Sequence, residues 1–205
     1  MNKTQDFTKG VIWKQLLFFF FPILIGSFFQ QLYNVVDTMI VGRFVGVDAL
    51  AAVGSTGNLT NLVVNFYVGL STGASVVIAQ YYGAHNKDKI HQAVHTSYML
   101  AIVSGIIMML FGLFFSYQCL DAIGVPHDIL NDASLYMRLY FLGMIPGAIY
   151  NIGSGILRAV GDSKRPLYYL IICSIVNVVF DFVLVVILHK GIAGAAIATF
   201  IAQTV

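Results

Sequence analysis

The 205-residue chain contains no glutamate, and its nine acidic residues are all aspartate. Charge of either sign is scarce: charged residues make up 10% of the chain, against about 25% in a soluble globular domain. Hydrophobic residues make up 59% and mean hydropathy is +0.84, with long apolar runs separated by short polar gaps. This composition excludes a soluble domain. The net charge of +2 is too small to suggest a nucleic-acid partner. The only cysteines, Cys119 and Cys173, lie in or beside apolar segments. They offer neither a disulfide framework nor a thiolate metal spacing, and read as packing residues. No cleavable signal peptide is expected, because the apolar run from Val11 is too long for an h-region and lacks a small-residue cleavage site.

What the chain does have is membrane spans, each needing about 20 mostly apolar residues. The first is expected from about Ile12 to Val41, kinked or tilted at Pro22. The second lies within Ala49 to Tyr82 and is unusually polar, with Asn58, Asn61 and Asn65 among its serines and threonines. Such a helix suits a cavity or a helix contact better than lipid. The third runs from about Val94 to Phe115. The fourth runs from about Leu130 to Ile156, broken around Pro146. The fifth runs from about Leu167 to Leu188. A sixth starts at Gly191, and the residues up to Val205 are too few to cross. The expected fold is therefore an all-α integral membrane protein, with about five complete transmembrane helices and part of a sixth.

Basic residues set the direction. With the N-terminus inside, the inner segments hold Lys3, Lys9, Lys14, Lys87, Lys89, Arg158, Lys164 and Arg165, and the outer ones only Arg43 and Lys190. This positive-inside bias predicts a cytoplasmic N-terminus in a multi-pass plasma-membrane protein. Splitting the second stretch into two spans would scramble it.

Two aspartates, Asp37 and Asp181, lie inside the apolar stretches of the spans. An intramembrane carboxylate costs about 2.5–3.5 kcal/mol on insertion scales and usually marks an ion, proton or substrate pathway. At 1.5 Å per residue, Asp37 sits roughly 9 Å below the outer end at Arg43, and Asp181 roughly 13 Å below Lys190. Asn177 is one turn from Asp181 on the same face, and Thr199 returns to that level on the sixth helix. Four polar groups on three helices thus share one layer. If the carboxylates meet, they cannot both ionise freely. Such a pair can exchange a proton, or hold Na⁺ with oxygens from Asn177 and Thr199. Otherwise each aspartate merely caps or hydrogen-bonds within a bundle.

The stretch Gln30-Gln31-Leu32-Tyr33-Asn34-Val35-Val36-Asp37, then Val41-Gly42-Arg43 and Ala49-Leu50-Ala51-Ala52-Val53-Gly54, resembles the start of multidrug and toxic compound extrusion (MATE) transporters. Ala79-Gln80-Tyr81-Tyr82-Gly83-Ala84, Arg158-Ala159-Val160-Gly161-Asp162 with Pro166, Asn177 to Asp181, and Gly191 to Thr199 resemble that family in order and spacing. The resemblance implies one bundle of a twelve-helix, two-bundle transporter that exports cationic or amphipathic small molecules in exchange for H⁺ or Na⁺. No cofactor is implied beyond the coupling ion, and no enzymatic activity. It assigns a cation or proton site to Asp37, Asn177, Asp181 and Thr199, and helix bending to Pro22. It further implies that residues 1–205 are the amino-terminal bundle, with the carboxy-terminal bundle missing, so that the chain is a fragment or truncated product. A related lipid or lipid-linked saccharide flippase, which a basic cavity would favour, and a non-transporting truncated product are the alternatives.

Other signals have ordinary readings. Gly69-Leu70-Ser71-Thr72-Gly73 fits a nucleophile elbow, but that motif needs a strand-turn-helix context. In an apolar helix it reads as small-residue packing. His91 and His95 have the i, i+4 spacing of metal ligands, at the inner membrane edge where polar helix ends are common. Arg138 falls within the fourth span and either snorkels or pairs with a neighbour. On the polar second helix, Asn61, Asn65 and Tyr67 are the substrate-cavity candidates.

Overall fold

The computed structural model describes residues 11–205; Lys3 and Lys9 of the orientation argument lie outside the described residues. Seven α-helices account for nearly all of it: α1 (Ile12–Phe44), α2 (Val47–Gly83), α3 (Lys87–Ala122), α4 (His127–Leu142), α5 (Met144–Ala159), α6 (Lys164–Asp181) and α7 (Gly191–Thr204). A π-helical turn, Phe182–Ile187, continues α6 without interruption. α1, α2, α3 and the α6–π unit are each long and apolar enough to cross a membrane, and α4 with α5 makes a fifth, broken span.

Connections are short because turn chemistry is local. Between α1 and α2, Gly46 sits at φ 126°, a backbone state costly for any side chain. Asn86 caps α3 by accepting a hydrogen bond from the Lys89 N–H at 3.1 Å, satisfying a donor that the first turn cannot pair internally. Asp162 does the same before α6, accepting from the backbone of Lys164 and of Arg165, each at 3.1 Å.

The fourth span breaks within the segment expected, at Gly143 beside Pro146 and not at the proline itself. α4 and α5 meet at Gly143 and are bent by 52°. Pro146 lies in the first turn of α5, where its missing N–H costs no helical hydrogen bond. The bend therefore precedes the proline by three residues. The fifth span departs from expectation in kind: its last turn is π-helical, with the Leu188 N–H donating to the Val183 carbonyl. α1 runs through Pro22 as one helix.

Packing follows the small residues. α3 lies against α4 and α5, α2 against α5, α1 against α6, and α7 between α4 and α6. α7 buries Gly194, Ala195, Ala196, Ala198 and Ala202; short side chains let neighbouring backbones approach closely, the usual source of association where lipid competes for apolar surface. Gly194 suits this geometry: a Cβ there would stand 3.1 Å from the Leu184 carbonyl oxygen of the widened π turn, which would have to give way slightly. Gly112 on α3 receives the ring of Phe141 on α4 so closely that any Cβ would overlap it. The outward faces carry large exposed apolar residues such as Phe18, Phe28, Met39, Ile107 and Phe114, as a lipid-facing surface requires.

Candidate functional site

Asp37 is the deepest polar residue of α1, 9% exposed, and Asp181 ends α6 fully buried. The packing of α1 on α6 brings their carboxyl groups against each other. One turn earlier on α6, Asn177 is 2% exposed, and its Nδ2 donates to Thr199 Oγ1 on α7 at 3.5 Å. The Thr199 hydroxyl donates in turn to the Ala195 carbonyl at 3.1 Å. The four residues gathered by depth counting therefore form one patch across α1, α6 and α7.

The patch is rich in acceptors and poor in donors. Asp37 Oδ1, both Asp181 oxygens and Asn177 Oδ1 are buried with no hydrogen-bond partner among the described residues. Buried carboxylates are costly unless paired, protonated or ligated. The only salt bridge among the described residues, Arg165 to Asp162, lies at the far end of α6. The site therefore offers a converging set of oxygens that no cation among the described residues pairs with. That donor set suits a proton shared between carboxyls, or a hard cation bound by oxygen. The π turn beginning directly after Asp181 is of the kind that often accompanies functional sites.

Two tyrosines not selected as site residues from the sequence, Tyr33 and Tyr136, neighbour the carboxyls, and a third, Tyr140, stands against those two. Tyr33 lies one turn before Asp37 and near it. Tyr136 on α4 neighbours both aspartates, Tyr33 and Tyr140. Tyr136 and Tyr140 are stacked, their ring centroids 6.5 Å apart and planes 14° apart, each 7% exposed. They wall the site on the α4 side. Arg138 is two residues from Tyr136, roughly 200° around the helix; it is exposed and makes no ion pair among the described residues. It does not neutralise the aspartates.

On α2, Gly54, Asn58, Asn61, Asn65 and Thr72 form one exposed face, their spacing matching a single helical stripe. A Cβ on Gly54 would touch nothing within 4 Å. Tyr67 is set apart from Asn61 and Asn65: it is 3% exposed, inside the bundle. On α1, Gln31, Asn34 and Thr38 are likewise exposed, with Asn34 Nδ2 donating to Gln31 Oε1 at 3.4 Å.

Ser71 of the elbow-like motif is helical and 2% exposed. Its Oγ donates to the Asn151 carbonyl at 2.6 Å, and Gly155 provides the space that it occupies. This is helix packing. His91 and His95 stand at the exposed start of α3, ring centroids 4.6 Å apart, and no group of three metal-type side chains forms among the described residues. Cys119 and Cys173 are free thiols.

A multi-pass helical bundle with an acidic, oxygen-lined patch sealed between its helices has the architecture of a membrane transporter. The family model described as MatE matches residues 22–183, and the chain belongs to that family. It is 33% identical over 202 residues to Probable multidrug resistance protein YoeA of Bacillus subtilis (strain 168), covering 97% of this chain and 44% of that protein. Among solved structures, MATE in complex with MaL6 superposes with a TM-score of 0.91 at 28% identity, covering 99% of this chain and 45% of that one. A MOP superfamily transporter from Pyrococcus furiosus, described as having a binding pocket of reverse polarity, gives 0.90 at 28% identity, covering 98% and 45%. The chain thus spans less than half the length of these relatives and matches one bundle of a two-bundle fold.

Proposed function

We propose that this chain is the amino-terminal bundle of a cation-coupled antiporter that exports amphipathic or cationic small molecules, with H⁺ or Na⁺ as the coupling ion. The observation that carries the reading is the contact between Asp37 and Asp181, buried with Asp37 Oδ1 and both Asp181 oxygens unsatisfied and no salt bridge to either among the described residues. Proton or cation entry relieves that destabilisation. Asn177 and Thr199 complete the oxygen set, and Tyr136 closes it. The ion drives a change of access only by binding the bundle's two conformations unequally. The site touches α1, α6 and α7, so its occupancy bears on how these helices pack.

The substrate wall is assigned to the exposed carboxamide stripe of α2, with Asn61 and Asn65 at its middle. A second bundle supplies the opposite wall. In this reading the N-terminus is cytoplasmic, which the positive-inside bias supports, and the protein acts in the plasma membrane. Names of multidrug resistance proteins among the relatives support export of foreign compounds.

The test is efflux of a fluorescent cationic dye from cells expressing the full reading frame that contains this bundle. Asp37→Asn and Asp181→Asn are each expected to abolish coupled efflux while leaving membrane insertion intact. Efflux unchanged in both variants would overturn the coupling site. Loss of efflux on Asn61→Leu with the cation response retained would separate the substrate wall from the ion site.

A further inference from the structure

We propose that the groove between the starts of α1 and α6 is a binding site for one anionic glycerophospholipid of the inner leaflet. A cavity of about 660 Å³ lies there, lined by Trp13, Lys14, Leu17, Phe18, Phe21, Pro22, Ile25 and Lys164. Its chemistry is graded along its length. Both cations belong to helix starts, Lys14 in the first turn of α1 and Lys164 as the first residue of α6. The lining residues further along α1, from Leu17 to Ile25, are apolar.

Three observations choose the occupant. First, neither lysine has a carboxylate partner among the described residues. The nearby acid, Asp162, is committed to Arg165 at 3.1 Å and to two backbone N–H groups. The complement of two ammonium groups with no carboxylate partner among the described residues, beside an apolar slot, is an anion joined to a hydrocarbon tail. Second, the length fits. From Lys14 to Ile25 is eleven residues, about 16 Å along a helix, close to the roughly 15 Å depth of one leaflet of a 30 Å hydrocarbon core. Third, the level fits. Lys14 lies 5.6 Å from the Trp13 ring, and tryptophan with lysine marks the headgroup layer of a span. Basic pockets between helices on the cytoplasmic side are a recurring form of anionic-lipid recognition. Pro22, where α1 lacks the N–H that would bond the Phe18 carbonyl, lies one turn short of the deep end at Ile25, so the acyl chain passes the point at which α1 has lost a hydrogen bond. The site is separate from the carboxylate patch, and it stands whether or not the ion reading does.

The experiment uses the full chain, purified in mild detergent, stripped of lipid and titrated with phosphatidylglycerol or phosphatidylcholine in mixed micelles, with bound lipid counted by native mass spectrometry. One phosphatidylglycerol is expected to be retained per chain in preference to phosphatidylcholine. The double substitution Lys14→Gln with Lys164→Gln is expected to weaken phosphatidylglycerol about 30-fold, the effect of two lysines near an anionic headgroup. Ile25→Trp, which fills the groove, is expected to lower retention of both lipids. Lys87→Gln with Lys89→Gln, a basic pair at the same membrane face but outside the groove, is expected to leave the preference in place. Equal retention of the two lipids overturns the proposal. So does an equal loss in the Lys87 and Lys89 variant, which would mean diffuse surface charge. Retention unaffected by both groove variants also overturns it, because the lipid is then held outside the groove.

Discussion

Gly112→Ala tests the packing that holds the tyrosine wall against the aspartates. The substituted methyl would lie within the ring of Phe141, which is 3% exposed. Phe141 cannot swing aside cheaply, because its ring makes an edge contact with Tyr140 at 6.4 Å, and Tyr140 stacks on Tyr136. Overpacking of this kind costs about 1–3 kcal/mol. Glycine-to-alanine in a helix also brings a gain of roughly 0.5–1 kcal/mol, so the right comparison is a second helical glycine with free space. Gly73 on α2 is one: a Cβ there meets nothing within 4 Å. The propensity gain cancels between the two variants, leaving a difference of about 1–3 kcal/mol, roughly 5- to 150-fold in the folding equilibrium. Reversible unfolding in mixed detergent micelles measures it. Gly73→Ala is expected to be neutral or stabilising and Gly112→Ala destabilising, with part of the loss recovered by Phe141→Leu in the same chain, since contacting residues couple. Equal stability of the two alanine variants, or strict additivity of Gly112→Ala with Phe141→Leu, would refute the α3–α4 contact.

Other perturbations bear on separate parts of the account. Pro146→Ala is expected to leave the α4–α5 bend and stability almost unchanged, because the proline occupies a first-turn position; spin-label distances across Gly143 check this. Pro22→Ala restores an N–H inside α1 and is expected to slow hydrogen exchange around residue 22, since an interior proline costs a helix about 3 kcal/mol. Tyr136→Phe keeps the ring but removes the hydroxyl beside the carboxyls; folding is expected to survive while the cation response weakens, read by the same unfolding assay with and without added Na⁺ and at two pH values. Asn65→Ala, on the exposed face of α2, is expected to change stability by less than about 0.5 kcal/mol, as surface substitutions away from packed features do.

The four-residue patch was legible in the sequence because a helix rises uniformly, so a span's ends fix the depth of each residue. What depth could not give was adjacency, which depends on α1 packing against α6 and α7 against α6. The tyrosines escaped for a related reason: in an apolar span Tyr136 and Tyr140 look like packing residues, and only the placement of Tyr136 beside Asp37 and Asp181, with Tyr140 stacked on it, sets them apart. Tyr67 was grouped with Asn61 and Asn65 by composition, yet it lies roughly 200° around the helix from Asn65, which a strict reading of helical phase would have separated. The π turn after Asp181 has no residue signature in Phe182–Ile187, all of them apolar; the missing constraint is tertiary, the close approach of α7 at Gly194. The break in the fourth span was legible to within a turn; its place at Gly143 and not at Pro146 depends on where the proline falls in the turn.

The most direct test of the central claim is hydrogen–deuterium exchange of the purified chain in lipid nanodiscs, followed in α1 around Asp37, in α6 around Asp181 and in α7 around Thr199. On adding Na⁺, or on lowering the pH, protection in these three segments is expected to rise together in the wild-type chain and to stay flat in Asp37→Asn with Asp181→Asn. A wild-type chain indifferent to both cations, or a double variant responding as the wild type does, would contradict the account.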